Sequence, residues 1–365
     1  MTSNTSERSE EVGGARQPAQ DAVERAFGAE SRQQMLSEYF AAAGEITPGN
    51  AWQHVYRLLL WIDKTTGLAH CYESDKAQPG RPWYGRSLAF HSWLTHRFDT
   101  TPAELAGHID WLFKKATERL AVAVAQQPGT RAARFVAQRA PYHGQGFPDP
   151  GEDPELQALI AELVGRWYGQ PPPEEGVRLL AQRIRAYLMH ENKRRNLLGE
   201  GFEDVLAAII RRLPRSNRLQ VRTRPLLHEL PGFREPPRGE KPRRVDLAIV
   251  DGAHRRILVS SKWSIRADRE ERFGVDFDAY ARLEEAGRDF EFVLVTNEFD
   301  AARLIAACRR RRQNAYLFTS VVHVNPEGPL AAYGTELRRS AADLPEQAQS
   351  GRLISLEQWL TMLVE

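Results

Sequence analysis

The sequence predicts an α/β fold: a mixed β-sheet with helices on its faces, preceded by a helical amino-terminal region. Three observations support this class. β-Rich runs occur at 219–224, 245–250, 256–261, 291–296 and 315–324. Helical apolar patterns precede and separate them, at 205–213, 267–286 and 300–312. The Asp251-Gly252 pair is a turn signal between two β-rich runs, which predicts a hairpin.

Composition and patterning divide the 365-residue chain into four expected regions. Residues 1–35 are polar, with few apolar residues near the start, and are expected to form a disordered leader. Residues 36–169 carry helical periodicity, and their role is open. The proline-rich run 170–177 breaks that periodicity and is the best candidate for a linker. Residues 178–365 then form the predicted α/β domain.

The bulk composition favours a soluble cytoplasmic protein. Apolar residues make up 42% of the chain, which permits a sizeable core. Cys71 and Cys308 lie far apart and form no Cys-x-x-Cys unit, which suits a reducing compartment and argues against structural zinc. The sequence contains no run of eighteen apolar residues and no basic-then-apolar secretion signal, so we expect no membrane association.

Charge is distributed unevenly along the chain although the net charge is only +2. The stretch from Arg178 to Arg272 contains 23 Lys and Arg residues against 12 Asp and Glu residues. A local basic excess is what contact with nucleic-acid phosphates requires, because each neutralised phosphate releases condensed counterions. This stretch is therefore the candidate DNA-binding region.

The predicted hairpin carries groups suited to phosphodiester hydrolysis. Ser260 and Lys262 alternate on one strand and so point to one face, and a twisted strand pair can bring Asp246 beside them. A carboxylate can hold a hard divalent cation that activates water, and a lysine can orient that water and stabilise developing charge. Ser260, two residues before the lysine, is not an acid, so this hairpin supplies Asp246 as its metal-binding carboxylate at the site.

These residues resemble the PD-(D/E)xK nuclease superfamily, and within it the type II restriction endonucleases that recognise CCGG-type sites. Those enzymes carry Ser-x-Lys and place the missing acid on the following helix, about fourteen residues past the lysine, which here is Asp276. They read the two guanines with Arg-x-Asp-Arg starting four residues past the lysine, a pattern matched by Arg266, Asp268 and Arg269. Glu203 resembles the helix glutamate that many members place beside the metal.

The resemblance implies a restriction-endonuclease-like sheet and Mg²⁺-dependent cleavage of double-stranded DNA at a site with a CCGG core. It implies catalytic roles for five residues: Asp246, Ser260, Lys262, Asp276 and Glu203. Of these, Asp246, Asp276 and Glu203 would hold the metal, and Arg266, Asp268 and Arg269 would bind DNA. A palindromic site implies a homodimer or homotetramer, and the family implies a cognate DNA methyltransferase in the same system.

Helical phasing bears on the relocated acid. If residues 269–285 are helical, Phe273, Tyr280 and their apolar neighbours form a stripe suited to packing on the sheet. Asp276 then lies about 50° from the middle of that stripe, near the buried border. Asp278 falls on the solvent side. A metal ion would offset the cost of a carboxylate at such a border.

Two alternatives remain open. One is a repair or processing nuclease of the same superfamily without a CCGG preference. The other is a catalytically inactive DNA-binding protein on the same scaffold, which Ser260 in place of an acid favours. Val245 also replaces the usual proline before the first acid, and Asp276 stands where glutamate is more common.

Overall fold

The predicted fold class is confirmed by the computed structural model, which contains a six-stranded mixed sheet flanked by helices and a helical amino-terminal region. The described residues are 18–63, 67–69, 80–125, 153–252, 255–266, 270–286, 289–312, 314–334 and 341–365. In these ranges no helix is both long and apolar enough to cross a lipid bilayer.

The helices are α1 (Pro18–Phe27), α2 (Ala29–Ala42), α3 (Ala51–Leu59), α4 (Pro82–Arg97), α5 (Pro102–His108), α6 (Trp111–Ala125), α7 (Pro154–Tyr168), α8 (Glu174–Ile210), α9 (Glu270–Leu283), α10 (Ala301–Arg309), α11 (Glu327–Tyr333), α12 (Leu344–Gln349) and α13 (Leu356–Val364). The strands are β1 (Ile62–Asp63), β2 (Leu68–Ala69), β3 (Gln220–Thr223), β4 (Leu247–Val250), β5 (Arg256–Lys262), β6 (Glu291–Thr296), β7 (Arg311–Arg312), β8 (Ala315–Tyr316), β9 (Ser320–His323) and β10 (Leu353–Ser355).

The main sheet has the strand order β10-β9-β6-β5-β4-β3. Strands β3, β4 and β5 pair antiparallel, so the predicted hairpin around Asp251-Gly252 is present. Strands β5, β6, β9 and β10 run parallel to one another, with helices in the connections. The predicted strand over 315–324 forms two separate strands, β8 and β9, because residues 317–319 leave the extended pairing.

One face of the sheet packs against α9. Ala248, Leu258 and Leu294 lie on neighbouring strands and belong to one buried cluster with Phe273 and Tyr280 of the helix. Because side chains alternate along a strand, Ser260 and Lys262 share the face of Leu258. The helix therefore covers the face on which the predicted catalytic residues lie.

Helix α8 is much longer than the sequence pattern indicated. The predicted helix over 205–213 is only the last part of a 37-residue helix that begins at Glu174. The glycines at 199 and 201 do not end it, since Gly201 packs closely on a neighbour: a Cβ there would lie 3.3 Å from a side-chain carbon of Leu112. The predicted linker accordingly overlaps the first turn of α8 over residues 174–177.

The described residues divide into two compact units. One contains the described residues within 18–32 and 116–189, and the other contains those within 33–115 and 190–365, including the main sheet. The predicted leader falls partly outside the described residues, at 1–17, and residues 18–35 belong to α1 and α2. The apolar side chain of Met35 in α2 is fully buried, and this burial favours a packed helix over a disordered leader at the end of that region.

Residues from the helical region pack onto the sheet within the second unit. Tyr56 of α3 donates a buried hydrogen bond to Asn297 Oδ1 over 2.9 Å, just past β6. Phe90 of α4 meets the ring of Phe299 with centroids 4.5 Å apart. These contacts join segments more than 200 residues apart in sequence, which no local pattern predicts.

A buried arginine fixes the loop that follows β3. Arg256 pairs with Glu284 over 2.9 Å and with Asp289 over 2.6 Å, and donates to the carbonyl of Pro231 over 3.3 Å. Gly232, next in the chain, has φ +79°, and a Cβ there would lie 1.7 Å from Nη1 of Arg256. A side chain at this position would strain the backbone and displace the guanidinium, so glycine is favoured here.

We predict that Gly232→Ala destabilises the protein more than Gly44→Ala. Gly44 has a similar φ, +75°, and a Cβ there has no neighbour within 4 Å, so its substitution adds only backbone strain of about 1–2 kcal/mol. Gly232→Ala also displaces Arg256 from its partners, among them the buried Glu284, which costs about 1–3 kcal/mol more. Urea unfolding measures the difference. Equal losses for the two variants would show that the loop accommodates the side chain freely.

Candidate active site

Asp246 is the centre of the predicted site. It directly precedes β4, and the register that pairs Leu247 with Val259 places it beside Ser260. Its Oδ2 atom accepts hydrogen bonds from Lys262 Nζ over 2.5 Å, from the backbone N–H of Ser261 over 3.0 Å and from Ser260 Oγ over 3.3 Å. The structure thus brings together the acid, the serine and the lysine that the sequence pattern singled out.

Helix α9 adds Asp276 to the same cavity. Its carboxylate accepts a hydrogen bond from Arg243 Nη1 over 3.4 Å and lies 3.7 Å from Arg272 Nε. Burial raises the pKa of Asp276 and the negative charge of Asp246 raises it further, while Arg272, Arg243 and Lys262 lower it. Asp276 is 24% exposed, so the predicted position near the buried border is the observed one.

Glu203 reaches the site from α8. It is buried and pairs with Arg224 Nη1 over 2.7 Å, while Nη2 of the same guanidinium contacts Asp204 over 2.6 Å. Burial, reinforced by the charge of Asp246, raises the pKa of Glu203 to about 7, and Arg224 and Lys262 oppose the rise. Glu203 is therefore electrostatically coupled to the Asp246–Lys262 pair.

Sequence reasoning missed Arg224. It follows β3 with φ +51°, and its backbone N–H donates to the carbonyl of Asp246 over 3.0 Å. Its side chain neutralises two adjacent buried acids, which would otherwise be costly to enclose. The available signal was the pair Glu203-Asp204 on a helix side that also carries buried apolar residues, since such acids need a cationic partner.

The cavity at this site has a volume of about 630 Å³ and a strongly basic lining. Its acidic members are Glu240, Asp246 and Asp276. Its basic members are Lys241, Arg243, Arg244, Lys262, Arg266 and Arg272. Cations outnumber carboxylates two to one, which favours a polyanion over a neutral or cationic ligand.

The predicted recognition residues are only partly within the described residues. Arg266 is exposed and lines the cavity, four residues past Lys262. Asp268 and Arg269 lie outside the described residues. The first arginine of the predicted recognition unit therefore shares a cavity with the predicted catalytic residues.

The donor set suits a hard cation in chemistry, although the described ranges contain no group of three His, Cys, Asp or Glu side chains placed to hold a metal. Mg²⁺ commonly binds one or two carboxylates and completes its shell with water. Asp246 and Asp276 supply such a pair, and the pKa of Asp276 is raised in part by the charge of Asp246. A divalent cation would relieve this repulsion, and both carboxylates line one cavity, so the pair is a candidate site for Mg²⁺.

A buried polar network lies at the carboxyl ends of β6 and β9, next to the segment that follows Lys262. His323 Nδ1 accepts from the backbone N–H of Asn325 over 3.1 Å, so the ring proton is on Nε2, which donates to the carbonyl of Glu298 over 3.0 Å. Burial lowers the pKa of His323 to about 4. The neutral ring is therefore part of the folded state.

We predict that His323 makes stability fall with acidification. Its folded pKa of about 4 lies below the ordinary 6.5, so the unfolded chain binds more protons between these values. The contribution is complete above pH 6.5 and is lost as the pH falls to 4, by about 3 kcal/mol for this shift. The unfolding free-energy difference between wild type and His323→Gln should shrink over that range. A His323→Gln difference that stays constant over that range would contradict the assignment.

No protein-family model matches the chain, and no curated protein matches it at a significant level.

Proposed function

We propose that this protein is a Mg²⁺-dependent DNA endonuclease of the type II restriction kind, acting on double-stranded DNA with a CCGG-type core. One observation carries the proposal. Ser260 and Lys262 both donate to Oδ2 of Asp246, and Asp276 of α9 lines the same cavity as these residues. An acid, a lysine and a second acid around one cavity are the groups that phosphodiester hydrolysis requires.

The lining of the cavity supports a nucleic-acid substrate. Five arginine and lysine side chains besides Lys262 surround the acids, and several lie on the loop before β4, including the exposed Lys241 and Arg244. Contacts of this kind track the phosphate backbone and position the duplex without reading its sequence. Lys262 is 37% exposed and so remains accessible to a bound phosphate.

Asp246 and Asp276 would hold Mg²⁺, with Glu203 as a third carboxylate nearby. The bound ion would lower the pKa of water and polarise the phosphate. Lys262 would orient the attacking water and stabilise charge on the phosphate, and Ser260 would hold Asp246 in place. A bond forms between the water oxygen and phosphorus, and the bond from phosphorus to the 3′-oxygen breaks. The 3′-oxygen leaves with a proton, which gives 5′-phosphate and 3′-hydroxyl ends.

Sequence recognition is assigned to Arg266, Asp268 and Arg269. Arginine can bond the O6 and N7 atoms of guanine in the major groove, and aspartate can accept from cytosine N4. A symmetric site is best read by a symmetric protein, so the proposal includes a homodimer or homotetramer. It also includes a methyltransferase that protects host DNA.

A catalytically inactive DNA-binding protein is the second candidate. In its favour, each acid at the site is paired with a cation: Asp246 with Lys262, Asp276 with two arginines and Glu203 with Arg224. Such pairing stabilises the fold without a metal. A basic cavity with fully paired acids would still bind duplex DNA.

Digestion of plasmid DNA with Mg²⁺, followed by sequencing of the fragment ends, tests these functions. Discrete bands whose ends share a CCGG core support the proposal. A smear indicates a nuclease without that preference, and intact DNA that is nevertheless bound indicates the inactive protein.

We predict that Lys262→Ala lowers the cleavage rate by about 10²–10³-fold or more, because it removes a charge at the reacting phosphate. Binding of the duplex in Ca²⁺ should be nearly unchanged. Lys241→Ala is the matched control, since Lys241 lines the same cavity but is exposed on the loop before β4. Lys241→Ala should weaken binding of the duplex and leave the cleavage rate of the saturated protein–DNA complex unchanged. Wild-type cleavage by Lys262→Ala would remove this residue from the chemistry.

We predict that Asp276→Asn abolishes cleavage and weakens Ca²⁺ binding, whereas Asp276→Glu retains part of both. The amide cannot offer a charged oxygen to a cation. Asp278→Asn is the matched control on the same helix, because Asp278 pairs with Arg312 instead of the site. Cleavage rates and calorimetric titration with Ca²⁺ provide the comparison. Equal activity of Asp276→Asn and Asp278→Asn would favour the inactive-scaffold alternative.

A further inference from the structure

Glu298 is a buried acid that the catalytic assignment does not use. It lies between β6 and α10 and is 2% exposed. Its Oε1 accepts from the backbone N–H of Asp300 over 2.7 Å, and its Oε2 accepts from the backbone N–H of Ile265 over 2.6 Å. Arg303 Nη1 lies 3.8 Å from Oε2. Burying a carboxylate is costly, and these contacts offset that cost, so the buried acid is expected to have a structural role here.

That role is to hold the segment that joins Lys262 to Arg266. Strand β5 ends at Lys262. Its backbone pairing with the segment that follows β6 continues for one more bond, from the N–H of Asn297 to the carbonyl of Trp263 over 3.0 Å. Beyond that bond the strand pairing stops, and the N–H of Ile265 donates to the carboxylate of Glu298 instead. The carboxylate therefore replaces a missing strand at the point where the segment turns towards Arg266.

Several contacts make this anchor rigid. The N–H of Glu298 donates to Thr296 Oγ1 over 3.1 Å, and its carbonyl accepts from the His323 ring over 3.0 Å. Ile265 is itself buried in the core beside α9, at 2% exposure. Both ends of the Glu298–Ile265 hydrogen bond are thus fixed, and the chain leaves the core with Arg266 as its next, exposed residue.

We propose that Glu298 is a positioning residue for DNA sequence recognition, which sets the direction in which Arg266 leaves the sheet and enters the cavity. This inference rests on the proposed function and extends it to a residue that touches neither DNA nor metal. Recognition of a base by arginine requires the side chain to be held close to the productive geometry. A mobile backbone at residue 265 would let Arg266 contact phosphate and base edges alike, and discrimination would fall while overall affinity persisted.

The test uses Glu298→Gln, which keeps the shape of the side chain but replaces one acceptor oxygen with a donor. Dissociation constants are measured in Ca²⁺ for two otherwise identical duplexes, one with a CCGG core and one with GGCC, each with randomised flanks. The ratio of the two constants should fall about 10-fold in Glu298→Gln, as in Arg266→Ala. Amide hydrogen exchange at Ile265 should accelerate in Glu298→Gln. Glu298→Asp, which keeps the charge and shortens the reach, serves if the glutamine variant does not fold, with the same expectations.

Glu284→Gln is the matched control. Glu284 is likewise buried, accepts from the backbone N–H of Asp289 over 3.2 Å and pairs with Arg256, but it lies beyond the far end of α9. It should lose stability and keep both the binding ratio and the exchange rate at Ile265. An unchanged ratio in Glu298→Gln, or an equal loss in Glu284→Gln, overturns the positioning role alone. A wild-type protein that binds both duplexes equally defeats the proposed CCGG recognition, and this inference with it.

Discussion

The hydrogen bonds to one carboxylate oxygen organise the candidate site. Oδ2 of Asp246 accepts from Ser260, Ser261 and Lys262, and so ties the start of β4 to the end of β5. This arrangement requires the antiparallel register of the two strands, because a shift by one residue would turn Ser260 and Lys262 to the opposite face. The alternating pattern that buries Leu258 therefore also fixes the side chains of the proposed catalytic residues.

The second constraint is electrostatic. Burial raises the pKa values of Glu203 and Asp276, and the negative charge of Asp246 raises both further. The protein balances these three carboxylates with separate cations from different elements: Arg224 after β3, Lys262 on β5, and arginines from the loop before β4 and from α9. Three of these cations, Arg243, Lys262 and Arg272, also line the cavity. Groups that stabilise the acids are thus among those that would attract a phosphate backbone.

Much of this arrangement could be predicted from local patterns, and the failures have a common cause. The hairpin, β6 and the buried side of α9 follow from period-two and period-3.6 patterns together with one turn signal. The length of α8 did not, because the helix continues through Gly199 and Gly201, residues that normally weaken a helix, and Gly201 packs closely on Leu112. The packing of Tyr56 and Phe90 on the sheet, the pairing of Arg224 and the burial of Glu298 depend on contacts distant in sequence. Arg224 and Glu298 are charged residues whose role appears only when their partners are known.

The position of Glu298 bears on how catalysis and recognition are joined. Lys262 is held by Asp246, and three residues later Ile265 is held by Glu298, so both ends of this short segment are anchored to different parts of the sheet. Arg266 directly follows this four-residue segment, so its backbone position and that of Lys262 are set through the same short, fixed stretch. Correct placement of Arg266 on a base would therefore favour correct placement of Lys262 on the phosphate. Such a linkage would make cleavage more selective than binding, since a mismatched base would displace the lysine as well as lose a contact.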